Sequence, residues 1–175
     1  MKRFVSIILA ALLLISLCGC GTNTQDKFND PVNFYFLRDK TETVKHSDET
    51  SVLVPLIREG DGIRSNLLLL LNRYLSDPGA EGFRSPFPRG TSVISVRNDE
   101  NLVEITLTDS IAEYSGLDLT LACACLSYTI MELTGTQGVR ICAENKTLDG
   151  HSSITMDQAH LVMIDLAANP SESVK

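Results

Sequence analysis

Residues 88–142 read PRGTSVISVRNDENLVEITLTDSIAEYSGLDLTLACACLSYTIMELTGTQGVRIC, one run whose periodicity changes from two to about four and back to two. Ser92 to Arg97 and Leu102 to Thr108 alternate apolar and polar residues and are joined by Asn98-Asp99-Glu100-Asn101, which predicts an antiparallel hairpin. Ile94 and Val96 share one face of the first run. Val103, Ile105 and Leu107 share one face of the second, with Glu104, Thr106 and Thr108 opposite, so one side is covered and one is wet. Ser115 and Asp118 have capping-box spacing just before the apolar run from Leu119. They predict a helix from about Gly116 to Leu133, closed by Gly135. Val139, Ile141 and Ala143 then alternate with Arg140, Cys142 and Glu144 as a further strand.

The predicted helix carries Leu119, Ala122, Cys123, Leu126, Ile130 and Leu133 on one side, and its small residues allow close approach to a sheet. Upstream, Val32 to Leu37 is β-branched and aromatic and reads as a strand. Val52 to Arg58 reads as its hairpin partner, held to an edge or a bulge by Pro55, across a charged loop from Asp39 to Thr50. Gly62 to about Leu75 predicts a second helix, capped by Asp61, with Leu67, Leu68, Leu70, Leu71, Tyr74 and Leu75 on one broad face and Leu69 near its edge. Met156 to Ala168 reads as a short helix capped by Ser153 or Thr155, or as an added strand. The sum is an α+β fold, with two helices packed on one face of a small, mainly antiparallel sheet.

At 175 residues with 43% hydrophobic content, one core with appendages is expected. The formal charge of -7 becomes about -9 if Lys2 and Arg3 are removed, and no basic stripe appears, so nucleic acid is not expected as a partner. Lys2 and Arg3 followed by the apolar run Phe4 to Leu17 have the form of a secretory signal, too short to span a bilayer. Leu17-Cys18-Gly19-Cys20 resembles the lipobox of bacterial lipoproteins, which implies cleavage before Cys20 and lipidation of that residue. Cys18 fits less well, because Leu17 would stand where a small residue is needed. Two acyl chains on one thioether anchor stably. The chain then divides into a leader (1–19), the lipidated cysteine with a polar tether (20–31), a domain (32–149) and a C-terminal extension (150–175), on the extracytoplasmic face of the membrane.

Chemistry-bearing residues are sparse. Cys123 and Cys125 project about 200° apart on a helix, so they share no metal and read as packing thiols. Cys142 lies on the less apolar strand face as a free thiol. His46, His151, His160 and Asp165 match no metal template and read as surface residues. Asn145-Lys146-Thr147 fits a glycosylation sequon by coincidence on a bacterial reading. No catalytic triad order, carboxylate pair or phosphate loop emerges, so no catalytic, cofactor or metal residue is assigned.

The order of Val32 to Leu37, Leu53 to Arg58, the leucine helix ending in Ser76-Asp77-Pro78, Pro88-Arg89-Gly90-Thr91, the hairpin, and the Leu119 to Leu133 helix leading into Gly138-Val139-Arg140-Ile141 resembles a GerMN domain. The Pro-x-Gly-Thr element before the hairpin is the most telling part. The long charged loop and Asp77, where the family commonly has glycine, depart from the pattern. The resemblance implies a fold similar to ring-building modules. It further implies a non-enzymatic lipoprotein that associates as a homo-oligomer or within an envelope protein complex, in sporulation or germination. The alternatives are a lipoprotein that binds a small ligand or the cell wall, and a cell-wall hydrolase.

Overall fold

A computed structural model describes residues 28–39, 52–60, 62–76 and 78–161. Cys18, Cys20, His46, Asp61, Asp77 and Asp165 lie outside the described residues.

The α+β class holds, and the strands divide between two sheets. The first contains β1 (Pro31–Arg38), β2 (Leu53–Glu59) and the two-residue β3 (Phe83–Arg84), in the order β2-β1-β3. β1 and β2 form the expected hairpin, with Tyr35 opposite Pro55. Pro55 is tolerated because β2 is an edge, where a missing N–H breaks no second ladder. The second sheet is β4 (Val93–Asp99), β5 (Leu102–Leu107), β6 (Gly138–Ala143) and β7 (Ile154–Asp157), in chain order. Its β5–β6 pair is parallel. A parallel pair needs a crossover, and the 19-residue helix α2 (Gly116–Thr134) supplies it.

α2 lies against β1 of one sheet and β6 and β7 of the other. This explains why its middle is buried all round, from Leu121 through Ser127. It is long and apolar enough to cross a membrane, yet here it is the core helix. The shorter leucine helix α1 (Leu67–Tyr74) also joins both sheets. Tyr74 stacks on Phe34 and tilts against Phe36 of β1, with centroids 5.1 Å apart in each case. Asn72 forms a two-point bridge to Val93 of β4, accepting from its N–H at 2.8 Å and donating to its carbonyl at 3.1 Å.

The middle of β1 is fastened by both helices. Tyr35 N–H donates to Thr129 Oγ1 at 3.0 Å, and the Tyr74 hydroxyl donates to the Tyr35 carbonyl. Side chains thus take the place of a neighbouring strand where β3 is too short to reach.

Four local expectations change. α1 begins at Leu67, where Asn66 Oδ1 accepts from Leu69 N–H at 3.1 Å, because Gly62 has φ +68° and is not helical. Leu68 is consequently exposed, as is Leu69. A register shift between Val93 and Ser95 inserts an extra residue in β4. Val93 therefore turns inward and Ile94 outward, at 6% and 40% exposed. Ser115 does occupy the N-cap of α2 but makes no side-chain cap bond. Asp149 reaches across instead, and its Oδ2 accepts from Gly116 N–H at 2.7 Å. Finally, of the stretch Met156 to Ala168 only the part up to Leu161 lies within the described residues, and that part is neither all helix nor all strand. Ile154–Asp157 adds to β6, and a helical turn starts at Gln158, where Asp157 accepts from His160 N–H at 2.9 Å. Gly135 closes α2 with φ 72°, as its position suggested.

Candidate functional site

The two ends of β1 are built differently. At its start the chain enters through a charged clasp. Glu59 accepts from the backbone N–H groups of both Asn29 and Asp30, at 2.8 and 2.7 Å. Gly60 N–H donates to the Asp30 carbonyl at 2.7 Å, and Arg64 bonds the Pro31 carbonyl at 3.0 Å while lying 3.7 Å from the Asp30 carboxylate. A Cβ on Gly60 would meet Asp30 Oδ2 at 2.5 Å and the Asp30 carbonyl oxygen at 3.1 Å, so a larger residue would have to displace the Asp30 side chain.

The far end of β1 opens on a cleft of about 560 Å³ that includes Asp39, Arg84, Arg89 and Tyr114. At about 3.3 Å per residue, Asp39 is about 25 Å along the strand from Pro31. Buried Leu75 and Phe87 contribute apolar wall, and Phe87 is fixed edge-on to Tyr74 at 5.5 Å. The Pro88–Thr91 turn forms one side. Thr91 N–H and Oγ1 both donate to the Pro88 carbonyl, at 3.2 and 2.9 Å. Thr108 Oγ1 donates to the Gly90 carbonyl at 3.1 Å, and Ser110 Oγ donates to Thr91 Oγ1 at 3.3 Å. Gly90 has φ +84°, which suits glycine alone among common residues. Arg89 therefore projects from a backbone held by three hydroxyl side chains. Among the described residues, neither Arg84 nor Arg89 has a side-chain hydrogen-bond or ion-pair partner, and both are exposed. Elsewhere Arg97 and Arg140 flank Glu104 at 3.3 and 3.4 Å.

The residues singled out for chemistry are dispersed. Cys123 and Cys125 are buried at 1% and 0% exposed, and burial pushes the Cys123 thiol up to about 12 and the Cys125 thiol higher still. Cys142 is partly exposed on β6, but burial and then Glu104 raise its thiol too, so its nucleophilicity is suppressed. All three are free cysteines. His151 is exposed beside its bridge to Leu148, and His160 pairs with Asp157 at 2.7 Å. Asn145 N–H donates to Asp109 at 2.7 Å, which holds that carboxyl below its ordinary range. Among the described residues no group of three or more His, Cys, Asp or Glu side chains could hold a metal ion.

A family described as Germane, sporulation and spore germination, matches residues 33–149. The chain belongs to this family. The first GerMN domain of the sporulation protein GerM from Bacillus subtilis superposes on the Germane chain with TM-score 0.53 at 15% identity, covering 70% of this chain and 90% of that one. The tandem GerMN domains of the same protein give TM-score 0.43 at 16% identity, over 70% of this chain and 40% of theirs. A sequence search of curated proteins gives no match. Within the Germane domain, the Pro88–Thr91 turn singled out in the sequence forms a wall of the cleft; Arg84 stands four positions before Pro88, whereas Asp39 is 49 positions before it and could not be gathered from spacing. The Glu59 clasp gave no sequence signal, because a lone glutamate at a strand end looks like any solvated charge.

Proposed function

We propose that this Germane-family protein is a lipid-anchored extracytoplasmic module of the bacterial envelope that holds partners and performs no chemistry of its own. Its setting would be sporulation or germination, and its partners a second copy of the chain or an envelope protein complex. The observation that carries the reading is the clasp at Asn29 and Asp30. A domain tethered through the segment that begins at Cys20 would transmit any pull at that junction, and Glu59, Gly60 and Arg64 lock it to β2 and the turn before α1. Two-chain lipidation at Cys20 would supply the anchor. The quiet thiols, raised by burial, fit a holding role better than a nucleophilic one.

The test is replacement of Cys20 by Ala with membrane fractionation and mass analysis. The variant is expected in the soluble fraction or as uncleaved precursor. A processed, membrane-bound Cys20→Ala protein would overturn the anchor. A second reading, that the protein binds a small ligand, is favoured by the cleft at the far end of β1.

A further inference from the structure

We propose that the cleft beside Pro88–Thr91 binds a single carboxylate borne on an apolar group, with Arg84 and Arg89 receiving the charge and the wall containing Phe87 receiving the apolar part. The inference rests on the holding role proposed above and gives it a ligand chemistry.

The volume, about 560 Å³, falls in the range of small-molecule sites. Its electrostatics are opposite to those of the molecule. The chain carries -7 overall, whereas among the described residues the charged side chains lining this cleft are Arg84, Arg89 and Asp39, a local balance of +1. That balance matches a monocarboxylate better than a doubly charged phosphate. Arginine is suited to the role, because its planar fork can meet both oxygens of a carboxylate. Among the described residues Arg84 and Arg89 have no hydrogen-bond or ion-pair partner, in contrast to Arg64 and Arg97, which are ion-paired.

The cleft is also organised in advance. Arg84 follows Phe83 on β3, which is in register with Leu37 and Arg38 of β1. Arg89 stands on the turn fixed by Thr91, Thr108 and Ser110. Fixing these backbones before binding lowers the ordering cost of association. Nothing in the packing of the core requires an arginine at position 89, since Phe87 and Val93 on either side of the turn make the core contacts.

The experiment is a chemical-shift titration of the full chain in detergent micelles with N-acetyl-L-phenylalanine, its neutral amide, and inorganic phosphate. The carboxylate is expected to shift amides around 84–91 and 114 and to bind at least about tenfold more tightly than either control, with affinity falling as salt rises. Arg84→Gln/Arg89→Gln is expected to weaken it by about tenfold or more while leaving the remaining spectrum in place. A four-residue peptide ending in a free phenylalanine that binds more tightly than the single residue assigns the natural carboxylate to a chain terminus, and equal binding assigns it to a small molecule. Equal binding of acid and amide, absence of shifts at the cleft, or full affinity in the double variant would overturn the inference. None of these readouts depends on Cys20, so a failed anchor and a failed cleft are separable.

Discussion

The two ends of β1 put the same kinds of side chain to opposite uses. At Pro31 a glutamate and an arginine are consumed by the fold, closing on Asn29, Asp30 and the Pro31 carbonyl. At Arg38 the strand hands over to a cleft where Arg84 and Arg89 remain unengaged among the described residues. Charges committed to backbone groups stabilise the native state, and charges left in water are neutral for stability and free for a ligand. One end is therefore expected to be sensitive to mutation in stability and the other in binding.

The largest effect is expected between the two ends. Thr129→Val keeps shape but removes the acceptor for Tyr35 N–H and the donor to the Cys125 carbonyl. It leaves a strand amide unsatisfied against the central helix, and urea denaturation should show a loss of about 1–3 kcal/mol. A variant as stable as wild type would mean that β1 is not held by the helices. Glu59→Gln, at the clasp, should lose about 1 kcal/mol by the same measurement, as one of two charge-assisted bonds goes. Arg84→Gln/Arg89→Gln should stay within about 0.5 kcal/mol of wild type, as for surface positions without partners. If the arginine pair proved as costly as Glu59, the contrast between the ends would collapse.

An unpartnered polar group is harmless only where water reaches it, and Ser127 sharpens that point. Its hydroxyl is fully buried in α2 and has no hydrogen-bond partner among the described residues. Ser127→Ala should raise stability by about 1 kcal/mol, read as a higher melting temperature, because a desolvated hydroxyl is removed and helix propensity improves. A drop would show that the hydroxyl is satisfied in solution.

What was legible in the sequence depended on range. Gly135 ends α2 and Pro55 marks an edge because those constraints belong to single residues. The alternation of Val103, Ile105 and Leu107 gave the buried face of β5 for the same reason. The bulge at Ile94 was invisible, since one inserted residue inverts a face without changing composition. Ser115 has the spacing of a complete cap, yet the bond to Gly116 comes from Asp149, 33 residues beyond that glycine. The division into two sheets follows from how α1 and α2 each reach both, through Tyr74, Asn72 and the all-round burial of α2, and no local period encodes that. The cleft was half legible: its turn carries a recognisable Pro-x-Gly-Thr sequence and Arg84 stands four residues before it, while Asp39 joins them only through the register of β1 with β3.

The proposed anchor at Cys20 implies that the clasp, where the chain enters β1, lies nearer the membrane than the cleft at the far end of that strand. The most direct measurement places the full chain, carrying the proposed lipid on Cys20, in nanodiscs with a nitroxide on the lipid headgroups and compares the broadening of backbone amide signals. Asn29 and Asp30 should broaden strongly and Arg84 and Arg89 weakly, as expected for ends separated by about 25 Å. Equal broadening at the two ends, or stronger broadening at the cleft, would contradict the account.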